Sequence, residues 1–289
     1  MFKLFYVRLF LSIVTIAIVM TGCKKEVTGV KLPQVNPELV VGCFFSPQDT
    51  ILVLTLSRSN PVFGTDHNLL TLVNSLVIPD ASVILSDGTN SATLTYNFSH
   101  YQYELKASLF PIMSGKTYYL NVSTPKGENV SASCTVPLSN LSSFTVDFVD
   151  TASERKVINV KWNDIPSQTN YYRVFGQLVV QDGEEKDTSY NNMRSSVTND
   201  AGRDGQEMSL EMQVRYDMTQ TDNGVKYTDV LIGYDVYLLN IDAEYYNYQY
   251  SLDHYSGDDP FAEPSPLYTN INGGLGVFGA YQKLYVRKK

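Results

Sequence analysis

From residue 38 onward, apolar and polar positions alternate with a period of two along most of the chain. Glu38–Phe45, Thr50–Arg58 and Lys116–Ser123 read as strands, the last with Tyr118, Leu120 and Val122 on one face. Ser82–Leu85, Ala92–Tyr96, Tyr101–Leu105 and Asn129–Val136 follow the same rule. Turn chemistry separates them at Ser86–Thr89 and Pro125–Gly127. Seven or so short strands in about 100 residues predict an immunoglobulin-like β-sandwich over residues 38–137, closed by Pro137.

A second strand set begins after Ser139–Ser143. It comprises Phe144–Val149, Lys156–Trp162, Asn170–Gln181, Met208–Met218, Val230–Leu239 and a closing run Val277–Val286. The pattern breaks once. Asp242 is placed to cap a helix near 242–255, with Tyr245, Tyr248 or Gln249, Leu252 and Tyr255 on one face. The fold class is therefore mainly β, with the N-terminal sandwich joined to a larger β domain, 138–289, that carries one inserted helix.

Tyrosine changes this picture. Of 21 tyrosines, 15 lie beyond residue 170. A tyrosine offers an apolar body and a polar tip, which suits both core packing and a binding face. Trp162, the single tryptophan, reads as a core plug or as a stacking platform. With Tyr245, Tyr248 and Tyr255 it is the candidate ligand surface. Gly273, Gly274 and Gly276 form a glycine run suited to a structural turn or a gripping loop. It lacks the lysine and the strand–loop–helix context of a phosphate loop.

The N-terminus follows a different rule. Lys3 and Arg8 precede an uncharged apolar run, Leu9–Met20, too short to span a bilayer and of the length of a secretion segment. Met20-Thr21-Gly22-Cys23 follows and resembles a lipobox. The expectation is a signal peptide over 1–22, acylation of Cys23 by chains such as palmitate, and a lipidated tether over 23–37. Lys24-Lys25-Glu26 resembles a surface-export signal, less acidic than its usual form. Outer-membrane anchoring, facing either the periplasm or the cell surface, is the expected location.

The charge balance is 22 basic against 30 acidic residues, a net charge of −8. An acidic chain without a basic tract is a poor partner for nucleic acid. With Cys23 assigned to lipid, Cys43 and Cys134 remain, as a disulfide or as two separate buried thiols. His67, His100 and His254 stand apart and form no zinc motif. The acids Asp200 with Asp204, and Asp258 with Asp259 and Glu263, read as solvated turns rather than calcium ligands. No catalytic residues, metal or cofactor are assigned.

The terminal block is the most individual part of the chain. Asp259-Pro260-Phe261-Ala262-Glu263-Pro264 precedes Tyr268-Thr269-Asn270-Ile271-Asn272-Gly273-Gly274-Leu275-Gly276-Val277-Phe278-Gly279-Ala280. Together with the lipobox, Ile78-Pro79-Asp80-Ala81 and Gly115-Lys116-Thr117-Tyr118, it resembles a Bacteroidota lipoprotein family, domain of unknown function 4249. The resemblance implies a two-part β protein of the cell envelope, with genes often beside a TonB-dependent receptor, and no known activity. The leading expectation is an accessory lipoprotein that binds rather than catalyses, taking a nutrient ligand (glycan or peptide) or docking a TonB-dependent receptor. The alternatives are a structural or adhesion module and an envelope hydrolase.

Overall fold

In the computed structural model, the described residues are 36–288 apart from 60–75, 139–140, 151–155, 182–187, 194–195, 215–218, 223–224, 229 and 256–265. The signal segment 1–22, Cys23, most of the tether, His67, Asp258, Asp259 and Glu263 lie outside them.

The first seven strands are β1 (Leu39–Phe45), β2 (Ile51–Arg58), β3 (Ser82–Ser86), β4 (Ser91–Asn97), β5 (Gln102–Lys106), β6 (Thr117–Ser123) and β7 (Asn129–Thr135). They form two layers. β1, β2 and β5 make one; β3, β6 and β7 make the other. β4 belongs to both, pairing β3 through Ser91–Leu94 and β5 through Thr95–Asn97. Alternation works as the sequence predicts: Val41, Cys43, Phe45, Leu52, Leu54, Leu56, Leu120 and Val122 all point into one core. Tyr118, near the start of β6, is fully buried, and its hydroxyl accepts the Met113 amide at 2.7 Å. That is the tyrosine corner of immunoglobulin-like sandwiches.

The second half contains β8 (Phe144–Asp150), β9 (Lys156–Asn163), β10 (Tyr171–Gln181), β11 (Thr188–Asn192), β12 (Ser196–Asn199) and β13 (Glu207–Val214). After these come β14 (Thr219–Asp222), β15 (Val225–Thr228), β16 (Val230–Ile241), the helix α1 (Ala243–Asp253) and β17 (Leu275–Lys288). The sheet β13-β9-β8 packs on one face of β10 and β16. Ile158, Val160, Trp162, Met208 and Met212 meet Tyr172, Val174, Val236 and Leu238 there. α1 covers the opposite face, where Tyr245 packs with Leu239 and Ile241. Asp242 caps it, accepting the Tyr245 amide at 2.8 Å. Among the described residues, no helix is long and apolar enough to cross a membrane.

β17 joins the halves. Leu275–Ala280 pair β1 in parallel, and Tyr281–Lys288 pair β16 antiparallel. One path of hydrogen-bonded strands therefore runs from β11 to β7 across the 137/138 boundary, and Pro37–Lys289 form a single compact unit. Gly276 makes this docking feasible. Its φ is +105°, and a Cβ there would lie 1.9 Å from the Val41 carbonyl oxygen. Backbone against backbone cannot yield as a flexible side chain can.

In this structure Cys43 and Cys134 are both buried free thiols, the second of the two arrangements the sequence leaves open. Burial pushes the Cys43 thiol up to about 12, and burial together with the nearby Asp242 raises Cys134. Buried thiols with so little thiolate are inert.

Two outcomes are expected. Gly276→Ala lowers stability by about 3 kcal/mol or more, whereas Gly127→Ala, whose added Cβ meets nothing within 4 Å, costs about 1 kcal/mol; thermal unfolding of the two variants checks the difference. Cys43 and Cys134 resist iodoacetamide in the native chain and both react after denaturation without reductant, as peptide mass spectrometry would show. Failure to react after denaturation would indicate a disulfide.

Candidate functional site

The outward face of β3, β6 and β7 is a grid of mostly small polar side chains, with Ile84 and Tyr119 among them. Register sets its rows. Ser82 lies opposite Ser123, and Ser123 opposite Asn129. In the next row Ile84 faces Asn121, Asn121 faces Ser131, and Ser131 bridges to Asn272. Ser86, Tyr119 and Ser133 form the third. Neighbours in a row stand close enough for one ligand to touch several.

The first two rows and the Asn272–Gly273 turn enclose a groove of about 550 Å³. Its lining side chains come from Ser, Asn, Val and Ile, and none carries a charge. The turn is built onto the edge of the sheet. The Asn272 amide donates to the Ser131 carbonyl at 2.8 Å, and the Ser131 amide returns the bond at 3.1 Å. Asn270 extends the clasp, donating from Nδ2 to the Phe278 carbonyl at 2.8 Å and accepting the Phe278 amide at 2.9 Å. Gly273 has φ +84°, and a Cβ there would lie 2.8 Å from the Asn129 carbonyl oxygen. Gly274 lies against Leu39 and Val130. The glycine run thus lets the chain lie against β7 and form one wall of the groove.

The aromatic surface expected from Trp162, Tyr245, Tyr248 and Tyr255 is not assembled. Trp162 is 3% exposed and packs edge-on against Tyr172 inside the second sandwich. Tyr245 is 4% exposed in a different cluster beneath α1, held by Phe44 and Arg173. Alternation along β9 sends Trp162 inward, and capping by Asp242 turns Tyr245 onto the sheet. Tyr248 is half-buried near Phe44, and Tyr255 is exposed beyond the helix end.

A second polar cluster joins the Asp164–Asn170 and Asp200–Gly205 loops. The carboxylates of Asp164, Asp200 and Asp204 lie within 4.8 Å of one another. Asp164 is the member that reading the sequence missed, since it lies 36 residues before Asp200. Asp164 Oδ1 accepts the Tyr172 hydroxyl at 2.6 Å, and Oδ2 accepts the Gly205 amide at 2.8 Å. Asp200 accepts the Asn170 amide at 2.9 Å, and Asp204 accepts the Ser167 amide at 2.8 Å. These are the residues that could offer oxygens to a hard cation. In this arrangement they hold two loops together through protein donors.

Asp242 sits where β17, α1 and β7 meet. It accepts the Tyr245 amide and, at 3.1 Å, the Ala280 amide. Burial nevertheless dominates and pushes its carboxyl up to about 7. The folded chain therefore holds a proton there more tightly than the unfolded chain. That contribution to stability is full below the ordinary value of 3.8 and is lost as pH rises toward 7. The expected outcome is a wild-type stability that falls steadily relative to that of Asp242→Asn from pH 4 to 7, checked by urea unfolding across that range. A pH-independent difference would refute it.

Comparison with known proteins adds a family and little else. The family described as domain of unknown function (DUF4249) matches residues 26–285. No curated protein matches the chain. Among solved structures, a two fibronectin type-III domain segment from chicken tenascin is similar at 14% identity, over 72% of this chain and 91% of that one. Its TM-score is 0.20, too low to speak to function.

Proposed function

The chain belongs to the DUF4249 family, so its role has to be read from its own residues, and we propose a membrane-anchored binding protein that takes a neutral, hydroxyl-rich ligand such as a glycan. The groove on β3, β6 and β7 carries this reading. Asparagine side chains offer donor and acceptor together, and serine hydroxyls do the same. A sugar hydroxyl has the same dual character, so an uncharged amide and hydroxyl surface pairs with it without stranding an ion. A peptide is served less well. Strand addition needs a free sheet edge, and Asn272 already pairs with β7 at Ser131. A charged ligand would find no counter-charge in the lining.

Anchoring by lipid on Cys23 at the outer membrane, and origin in Bacteroidota, form part of the same proposal. They are supported by the lipobox and by the apolar run before it. A TonB-dependent receptor is the proposed protein partner, to which a tethered glycan binder would be accessory. Mild-detergent extraction should recover the two together.

The ligand reading is tested by screening the full chain against neutral and charged oligosaccharides and against peptides. Neutral oligosaccharides are the expected ligands. Asn121→Ala, at the groove centre, is expected to weaken binding about tenfold, as removal of a ligand hydrogen bond does, with no change in Tm. Binding confined to peptides or acidic sugars, or an Asn121→Ala variant with unchanged affinity, would refute the assignment.

A further inference from the structure

The turn between β4 and β5 presents two aromatic rings to solvent. Phe98 is 73% exposed and Tyr101 is 52% exposed. Turn positions of this kind ordinarily carry Gly, Asn or Asp. Tyr101 has φ +56°, a left-handed conformation that costs any residue with a Cβ. A half-exposed ring in a strained backbone gains little from packing.

The turn is nevertheless held in place. Asn97 accepts the Ser99 amide at 2.9 Å and donates to Glu104 at 3.0 Å. His100 meets the other Glu104 oxygen at 2.8 Å. Tyr96 packs edge-on against Phe98, with ring centroids 4.9 Å apart.

Position gives the rings a partner. Leu39 pairs Arg58, and Glu38 accepts the Ser59 amide at 2.8 Å, so the chain enters the sandwich at the Arg58 end of β2. β5 runs antiparallel to β2, with Leu54 opposite Tyr103, so residues 98–101 project toward that same end. Only the stretch from Cys23 to Asn36 separates this end from the lipid position, a reach of roughly 45 Å at full extension.

We infer that Phe98 and Tyr101 form a membrane-contacting tip, seated in the interface of the bilayer that holds the lipid anchor. The inference rests on the anchoring reading above. Phenylalanine and tyrosine suit this layer because their rings enter the acyl boundary, and the tyrosine hydroxyl stays with the headgroups. The acyl chains on Cys23 hold the protein at one point, and a second point of contact adds to retention. It also sets orientation. With the strands rising from the membrane, the groove on the β3-β6-β7 face opens sideways rather than into lipid.

Phe98→Trp places a reporter at the tip, and Leu109→Trp places one at the opposite end. Leu109 is 72% exposed and lies beyond β5, where Ala107 donates to the Thr50 carbonyl. Each full-chain variant is reconstituted from its envelope into vesicles of phosphatidylethanolamine and phosphatidylglycerol with brominated acyl chains. The buried Trp162 supplies a common background. The expected result is loss of most of the added emission at position 98, with a blue shift, and unchanged emission at 109. Equal quenching at both sites, quenching at neither, or a chain that does not associate with the vesicles would overturn the inference. Mass spectrometry of the Cys23 peptide reads the anchor separately. A chain without acyl groups refutes the anchor, and quenching of the vesicle-bound material still decides the tip.

Discussion

The backbone contact between Gly276 and Val41 is the constraint on which the rest of the structure depends. β17 must reach β1 closely enough for a parallel ladder, and a side chain at Gly276 would occupy the space of the Val41 carbonyl. Because β17 continues into its pairing with β16, the same contact fixes the second half against the first. Val40 waits for a partner at Leu275, 235 residues later, so this ladder is among the most non-local in the chain. Pairings of such separation close slowly. Until β17 arrives, one edge of β1 is left open.

Polar groups then fix the spacing that the ladder permits. Tyr281 donates to Asp49 at 3.0 Å, and Gln282 accepts from Gln48 at 3.0 Å while donating to Ser114 at 2.6 Å. Asn240 reaches the Leu138 carbonyl at 3.3 Å. Apolar packing would tolerate small slides of one half on the other. A directional bond between partly buried groups does not, because a displaced partner leaves an unpaired group behind. Asp242 belongs to this layer: it joins the start of α1 to β17 at Ala280, so helix, last strand and sandwich share one junction.

Much of the fold is legible in the sequence because it rests on local alternation. All seven strands of the first sandwich, the long β10 and the capped helix follow from patterns within a dozen residues. The parallel docking of β17 does not, since nothing near Leu275 names β1 as its partner. Trp162 and Tyr245 are ambiguous in the sequence for a related reason: an aromatic ring has the same appearance there whether it plugs a core or faces a ligand, and burial decides. The groove did leave a signal. The outward positions Tyr119, Asn121 and Ser123, and Asn129, Ser131 and Ser133, carry no Lys, Arg, Asp or Glu. The signal lies in that missing charge, which a search for motifs passes over.

An uncharged sheet face is ordinarily a hazard, because charge is what keeps exposed strands from pairing with strangers. Here the hazard is managed by geometry. The chain from Asn270 to Gly273 covers the β7 edge through the Ser131 and Asn272 amides and the Asn270 side chain. That covering segment also forms a wall of the groove, through Asn272 and Gly273. Edge protection and site construction are therefore one event, and both depend on the glycine run that lets the last strand approach. With the edge occupied, the face can dispense with lysine and glutamate and present amides and hydroxyls instead. Neutral groups of this kind are cheaper to desolvate than ions, so the surface can meet an uncharged ligand without first removing the hydration of a charge.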